Sequence, residues 1–138
     1  PELALAPGAA GWQLSNPPIF SAAPLLASLA SFEAAGTAAL RSKSLSLTGF
    51  LAECLTLLCG DSVELITPAD PAQRGCQLSL RVRGSRARAH AAFALLGRHG
   101  IVGDWREPDT IRLAPVPLYN RYAEALAAAA ALAEVAQA

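Results

Sequence analysis

The sequence predicts an α+β fold, with helices packed on one side of a small, mainly antiparallel sheet. Three observations predict it. Apolar residues recur at helical spacing over 18–35 and 37–59. Val63–Thr67 and Cys76–Val82 then switch to alternation, the pattern of half-buried strands. The whole order reads helix, helix, strand, strand, helix, strand, strand, helix. A chain of 138 residues fits one domain.

The elements follow from local chemistry. Residues 1–10 are an irregular Ala/Gly/Pro lead-in, and 11–138 form the predicted domain. Gly11–Leu14 reads as a short strand, stopped by Ser15-Asn16-Pro17-Pro18. The prolines suit the first turn of a helix over about Pro18–Ala35, with Phe20, Leu25, Leu29 and Phe32 on its stripe. Gly36 is placed as its C-cap and Thr37 as the next N-cap. The second helix runs over about Thr37–Cys59, with an apolar stripe of Leu40, Leu47, Leu51, Cys54, Leu55 and Leu58. Gly60-Asp61 ends it.

Val63–Thr67 is a strand, Pro68–Gly75 a loop, and Cys76–Val82 the hairpin partner of the first strand. Ser85 caps a third helix over Arg86–Arg98, closed by His99-Gly100. Ile101-Val102 and Thr110–Ala114 are short strands flanking Gly103–Asp109. Pro115–Asn120 is a fixed loop, and Asn120 caps a last, Ala-rich helix running to the C-terminus.

Composition excludes several functions. Eleven basic and eleven acidic residues cancel, which gives no electrostatic footprint for nucleic acid. Charged residues at 16% and hydrophobic ones at 53% argue against disorder. The uncharged stretch 3–32 is broken by Pro7, Pro17, Pro18 and Pro24, and Ile19–Phe32 falls short of a membrane span. No basic region precedes it, so no signal peptide is read and the expected location is cytoplasmic. Cys54, Cys59 and Cys76 read as small buried groups in a reducing compartment. No methionine occurs and residue 1 is Pro1, so the chain reads as a piece of something longer.

Few side chains point to chemistry. His90 and His99 read as surface or cap residues, and no metal site is spaced for. Lys43 lies on a polar helix face, poorly placed for Schiff-base work. Arg81, Arg83, Arg86 and Arg88 form a local basic cluster, read as solvated charge. Two positions stand out, Asn16 beside a rigid Pro-Pro turn and Arg112 in an otherwise apolar strand. A guanidinium fork suits bidentate capture of a carboxylate. The competing reading of Arg112 is a structural ion pair with Asp104, Glu107 or Asp109.

Six segments occur in an order that resembles one family. They are Gly11-Trp-Gln-Leu-Ser-Asn-Pro-Pro-Ile19, Leu40-Arg-Ser-Lys-Ser44 with Leu47-Thr-Gly-Phe50, Ile66-Thr-Pro68, Arg74-Gly-Cys-Gln-Leu-Ser-Leu80, Gly103-Asp-Trp-Arg-Glu-Pro108 and Ile111-Arg-Leu-Ala-Pro-Val-Pro-Leu-Tyr-Asn120. Together they resemble the C-terminal portion of kynureninase, over about residues 11–135. That is a pyridoxal-phosphate enzyme of the aspartate aminotransferase fold, in the class V group.

The resemblance implies hydrolysis of L-kynurenine, or its 3-hydroxy form, to the matching anthranilate and L-alanine. It implies a homodimer, and a large domain of the same protein that carries the cofactor lysine. Lys43 does not match that lysine. Arg112 matches the arginine that binds the substrate α-carboxylate. Asn16 matches a position at the cofactor and substrate-ring end of the site. Arg74 lies in a matching motif and reads as structural. Three other readings stay open. One is the small domain of another relative, such as a cysteine desulfurase, although the cysteines are placed on a helix and a strand rather than a mobile loop. The others are a free-standing small-ligand module and an assembly fragment that docks a partner chain.

Overall fold

The computed structural model describes residues 4–136 and divides into two compact units at Gly36. The first three residues of the lead-in and the last two of the chain lie outside the described residues.

The N-terminal unit holds a short 3-10 turn, Gly8–Trp12, and helix α1, Ile19–Ala35. The strand expected at Gly11–Leu14 is absent. Gly8 opens the turn at φ 67° and Gln13 N–H donates to the Ala10 carbonyl at 3.2 Å, so local bonds replace a ladder. α1 forms as expected and continues through Pro24. Gly36 ends it at φ 79°, with its N–H donated to the Phe32 carbonyl at 3.0 Å.

The second unit contains α2 (Thr37–Cys59), β1 (Val63–Leu65), β2 (Leu78–Val82), α3 (Arg86–Arg98), β3 (Asp104–Arg106), β4 (Thr110–Leu113) and α4 (Tyr122–Ala136). The four strands form one antiparallel sheet in the order β1-β2-β4-β3. Strand alternation sorts the two faces. Leu78, Leu80, Val82, Ile111 and Leu113 are buried beneath α2, α3 and α4. Against them pack Leu47, Leu51 and Leu55 of α2, Ala89, Ala92 and Leu96 of α3, and the alanines with Leu132 of α4. The small α4 side chains let that helix approach α2 closely; Cys59 Sγ lies 3.7 Å from the Ala129 carbonyl. Burial there pushes the Cys59 thiol above its ordinary pKa.

The α2 stripe holds at five of its six positions, and Leu58 departs from it at 41% exposed. In the last turn of α2 the cover lies on the side of Cys59, which is 5% exposed. Residues Thr37–Ser62 are long and apolar enough to cross a membrane by length and composition alone; in this fold they are the core helix.

Two strand and cap assignments change. Ile101-Val102 is not a strand, because α3 closes there. Gly100 sits at φ 71°, its N–H bonds the Gly97 carbonyl at 3.0 Å, and Ile101 N–H bonds the Leu96 carbonyl at 2.9 Å. This Schellman pattern takes the N–H that a ladder would use. The strand begins instead at Asp104, inside the stretch expected to be a loop. Asn120 does not cap α4. Its Oδ1 accepts from Val116 N–H at 2.8 Å, locking the Pro115–Asn120 loop. Glu124 does the capping work by accepting Arg121 N–H at 3.2 Å. Ser85 caps α3 as expected, accepting Arg88 N–H at 3.2 Å.

Candidate functional site

The face of the sheet away from the helices carries Glu64, Ser79, Arg81, Asp104, Arg106, Thr110 and Arg112. Its composition follows from the same alternation that builds the core: each buried strand residue is flanked by a polar one. Arg112 lies on β4, an inner strand, with Ser79 of β2 and Asp104 of β3 as its direct cross-strand partners. A side chain there is anchored by ladder bonds on both sides, so its base does not wander.

The geometry around Arg112 is specific. Its Nε donates to Asp104 Oδ2 at 2.5 Å, and its Nη2 pairs with the same oxygen. Arg106 Nε also donates to Asp104 Oδ2, at 2.9 Å. Desolvation pushes the Asp104 carboxyl up, and the hydrogen bonds from Arg112 and Arg106 outweigh it, so its pKa lies below the usual carboxylate value. The Arg112 side chain is 30% exposed, half-buried and reachable from solvent. Among the described residues, Nη1 of Arg112 has no hydrogen-bond partner. The ion pair expected as the competing reading of Arg112 is present, with Asp104 and not with Glu107 or Asp109.

The other arginines on and beside this face are matched to partners. Arg81 pairs with Asp109 at 3.0 Å and approaches Glu64 at 3.8 Å. Arg83 approaches Glu64 at 3.9 Å and Arg86 pairs with Glu107 at 2.7 Å. The bidentate Arg86 guanidinium holds the Glu107 carboxyl below its usual value. Arg88 donates to the Val135 carbonyl at 2.8 Å, tying α3 to α4. The basic cluster is thus largely neutralised by nearby carboxylates. Arg74 donates to Thr48 Oγ1, and Arg41 donates to the Arg74 carbonyl at 3.0 Å, which pins the 68–75 loop onto α2.

Asn16 is exposed at a bend ahead of α1, in the N-terminal unit. Sequence reasoning named Asp104 only as a possible partner and missed Arg106 on the same face. The available signal was the Asp104, Arg106 alternation, hidden by placing the strand three residues too early. An open cleft of about 560 Å³ lies elsewhere in the second unit, lined by Ile101, Leu113, Pro115, Tyr119, Asn120 and Glu124 among others; neither Arg112 nor Lys43 lines it.

This fold and this face define a class: a small α+β domain with one helix-covered sheet face and one open face that offers a braced guanidinium. A family model described as "Kynureninase C-terminal domain" matches residues 40–132. The chain is 57% identical over 124 residues to the kynureninase of Xanthomonas euvesicatoria pv. vesicatoria. It is 56% identical to that of Xanthomonas axonopodis pv. citri and 54% to that of Xanthomonas oryzae pv. oryzae. Each match covers 90% of this chain and 29% of the relative, so the chain spans under a third of their length. The chain belongs to the kynureninase C-terminal domain family.

Proposed function

We propose that this chain is the small domain of a kynureninase, an enzyme that hydrolyses L-kynurenine or 3-hydroxykynurenine to the matching anthranilate and L-alanine. In this reading Arg112 binds the substrate α-carboxylate. The observation that carries it is the state of Arg112 within the matched 40–132 region: fixed on an inner strand, braced by Asp104 along its Nε–Nη2 edge, and with a side chain 30% exposed. A bidentate arginine on a rigid strand holds an amino acid in one orientation, which is what selective cleavage of one of its bonds requires.

The residues of this chain do not fit pyridoxal phosphate as a covalently held group. Attachment needs a lysine amine in a desolvated pocket. The only lysine, Lys43, is partly exposed on α2 beside Arg41 and Ser42. The reading therefore assigns the cofactor to a large domain of the same protein, and assigns to this chain only the orientation of substrate. It predicts that the isolated chain is inactive. Asn16, exposed beside its proline turn, is proposed at the cofactor and substrate-ring end of the joined site. A homodimer in the cytoplasm completes the proposal.

The test is Arg112→Lys in the full-length enzyme. A point charge replaces the fork and one charge-assisted hydrogen bond is lost, worth about 1.5–3 kcal/mol, so kcat/KM for L-kynurenine falls about tenfold or more. Turnover near that of the parent enzyme would refute the assignment. It would leave the second reading, in which Arg112 serves only its ion pair with Asp104.

A further inference from the structure

We infer that Asp104 is a positioning residue, which holds the Arg112 guanidinium so that one edge of its fork faces an incoming carboxylate. The inference rests on the reading of Arg112 as the carboxylate-binding group. The backbone sets the arrangement first. Asp104 and Arg112 are direct partners across an antiparallel pair, so their side chains leave the sheet side by side on the open face.

The atoms then divide the fork. A guanidinium has a side edge, Nε with Nη2, and an end edge, Nη1 with Nη2. One oxygen of Asp104, Oδ2, takes the whole side edge. The end edge keeps Nη1 and the second hydrogen of Nη2, two parallel donors that match the two oxygens of a carboxylate. A substrate carboxylate can therefore dock without displacing Asp104.

Arg106 makes this pairing useful rather than self-defeating. An aspartate alone would cancel the charge of Arg112 and repel an anion. Here Oδ2 also accepts from Arg106 at 2.9 Å. Two guanidinium charges against one carboxylate leave the cluster with one net positive charge. The aspartate is held between two cations, and the face stays attractive to a small anion. Bracing Arg112 before binding removes the rotamer entropy that the ligand would otherwise have to overcome.

The experiment uses the full-length enzyme, with kcat and KM for L-kynurenine and the inhibition constant of its neutral α-carboxamide as a competing ligand. Freeing one rotamer-rich side chain corresponds to a roughly two- to tenfold rise in KM for Asp104→Ala, with a smaller change in kcat. The carboxamide, which carries no charge for Arg112, keeps its inhibition constant. Asp104→Asn recovers part of the KM loss, because its amide oxygen still accepts from Nε. An equal loss for both ligands would make Asp104 a fold contact and overturn the inference. An unchanged KM in Asp104→Ala, with KM raised in Arg112→Lys, would overturn it while leaving the Arg112 reading intact. An unchanged KM in Arg112→Lys would remove that reading and the positioning role with it.

Discussion

Leu55 and Leu58 lie one turn apart on the same apolar stripe of α2, and the structure gives them opposite environments. Leu55 is 1% exposed and Leu58 is 41% exposed. Truncating Leu55 to Ala removes three buried carbons. At about 0.8 kcal/mol per carbon the transfer loss is about 2.4 kcal/mol. The cavity left in the core adds about 1 kcal/mol more, within the range seen for buried leucines. Leu58→Ala removes side chain that is already partly in water and leaves no enclosed cavity, so its cost is under about 1 kcal/mol. Urea unfolding followed by circular dichroism reads both, as a shift in midpoint at constant slope. Equal losses in the two variants would refute the placement of the last turn of α2, and would mean that helical spacing alone decides burial there.

Other expectations follow from single bonds. Ser85→Ala removes the side-chain acceptor for Arg88 N–H and costs about 1 kcal/mol in the same unfolding assay, with Ser85→Asp retaining stability. Glu124 is held below its ordinary pKa by the Asn120 side chain, then by the Arg121 N–H and guanidinium. Its folded pKa is thus lower than its unfolded one near 4.5, so its contribution is full above that value and is lost as pH falls through the folded pKa. Stability measured over this acid range should fall less steeply in Glu124→Gln than in the parent chain, and an unchanged slope would sink the linkage.

Much of the fold was legible because it rests on local signals. The α1 and α2 boundaries, the Ser85 cap and the β1–β2 hairpin each follow from a cap residue or a change of period. What failed depended on which partner a backbone group chose. Ile101 and Val102 have strand-forming side chains, yet Ile101 N–H closes α3 on Leu96, and that choice is invisible in alternation. Asn120 has the chemistry of an N-cap, but its side chain turns back to Val116 and leaves the task to Glu124. Gly11–Leu14 had strand-like content and found no strand to pair with in its unit. For the site, an arginine in an apolar strand was enough to single out Arg112. Asp104 and Arg106 became a cluster with it only once β3 was paired to β4, because register is a tertiary fact that a single strand does not carry.

The open face also explains why charge totals said so little. The chain is neutral, and most of the arginines near the sheet are consumed by neighbouring carboxylates. The asymmetry sits in one group of three, where Asp104 serves two guanidinium groups at once.

The most direct measurement of the central claim is a structure of the full-length enzyme with an α-amino acid ligand bound. The expected result is the ligand carboxylate on the Nη1–Nη2 edge of Arg112, at about 2.7–2.9 Å, with Asp104 still on Nε. A carboxylate held by other side chains, with Arg112 bound to Asp104 alone, would contradict it.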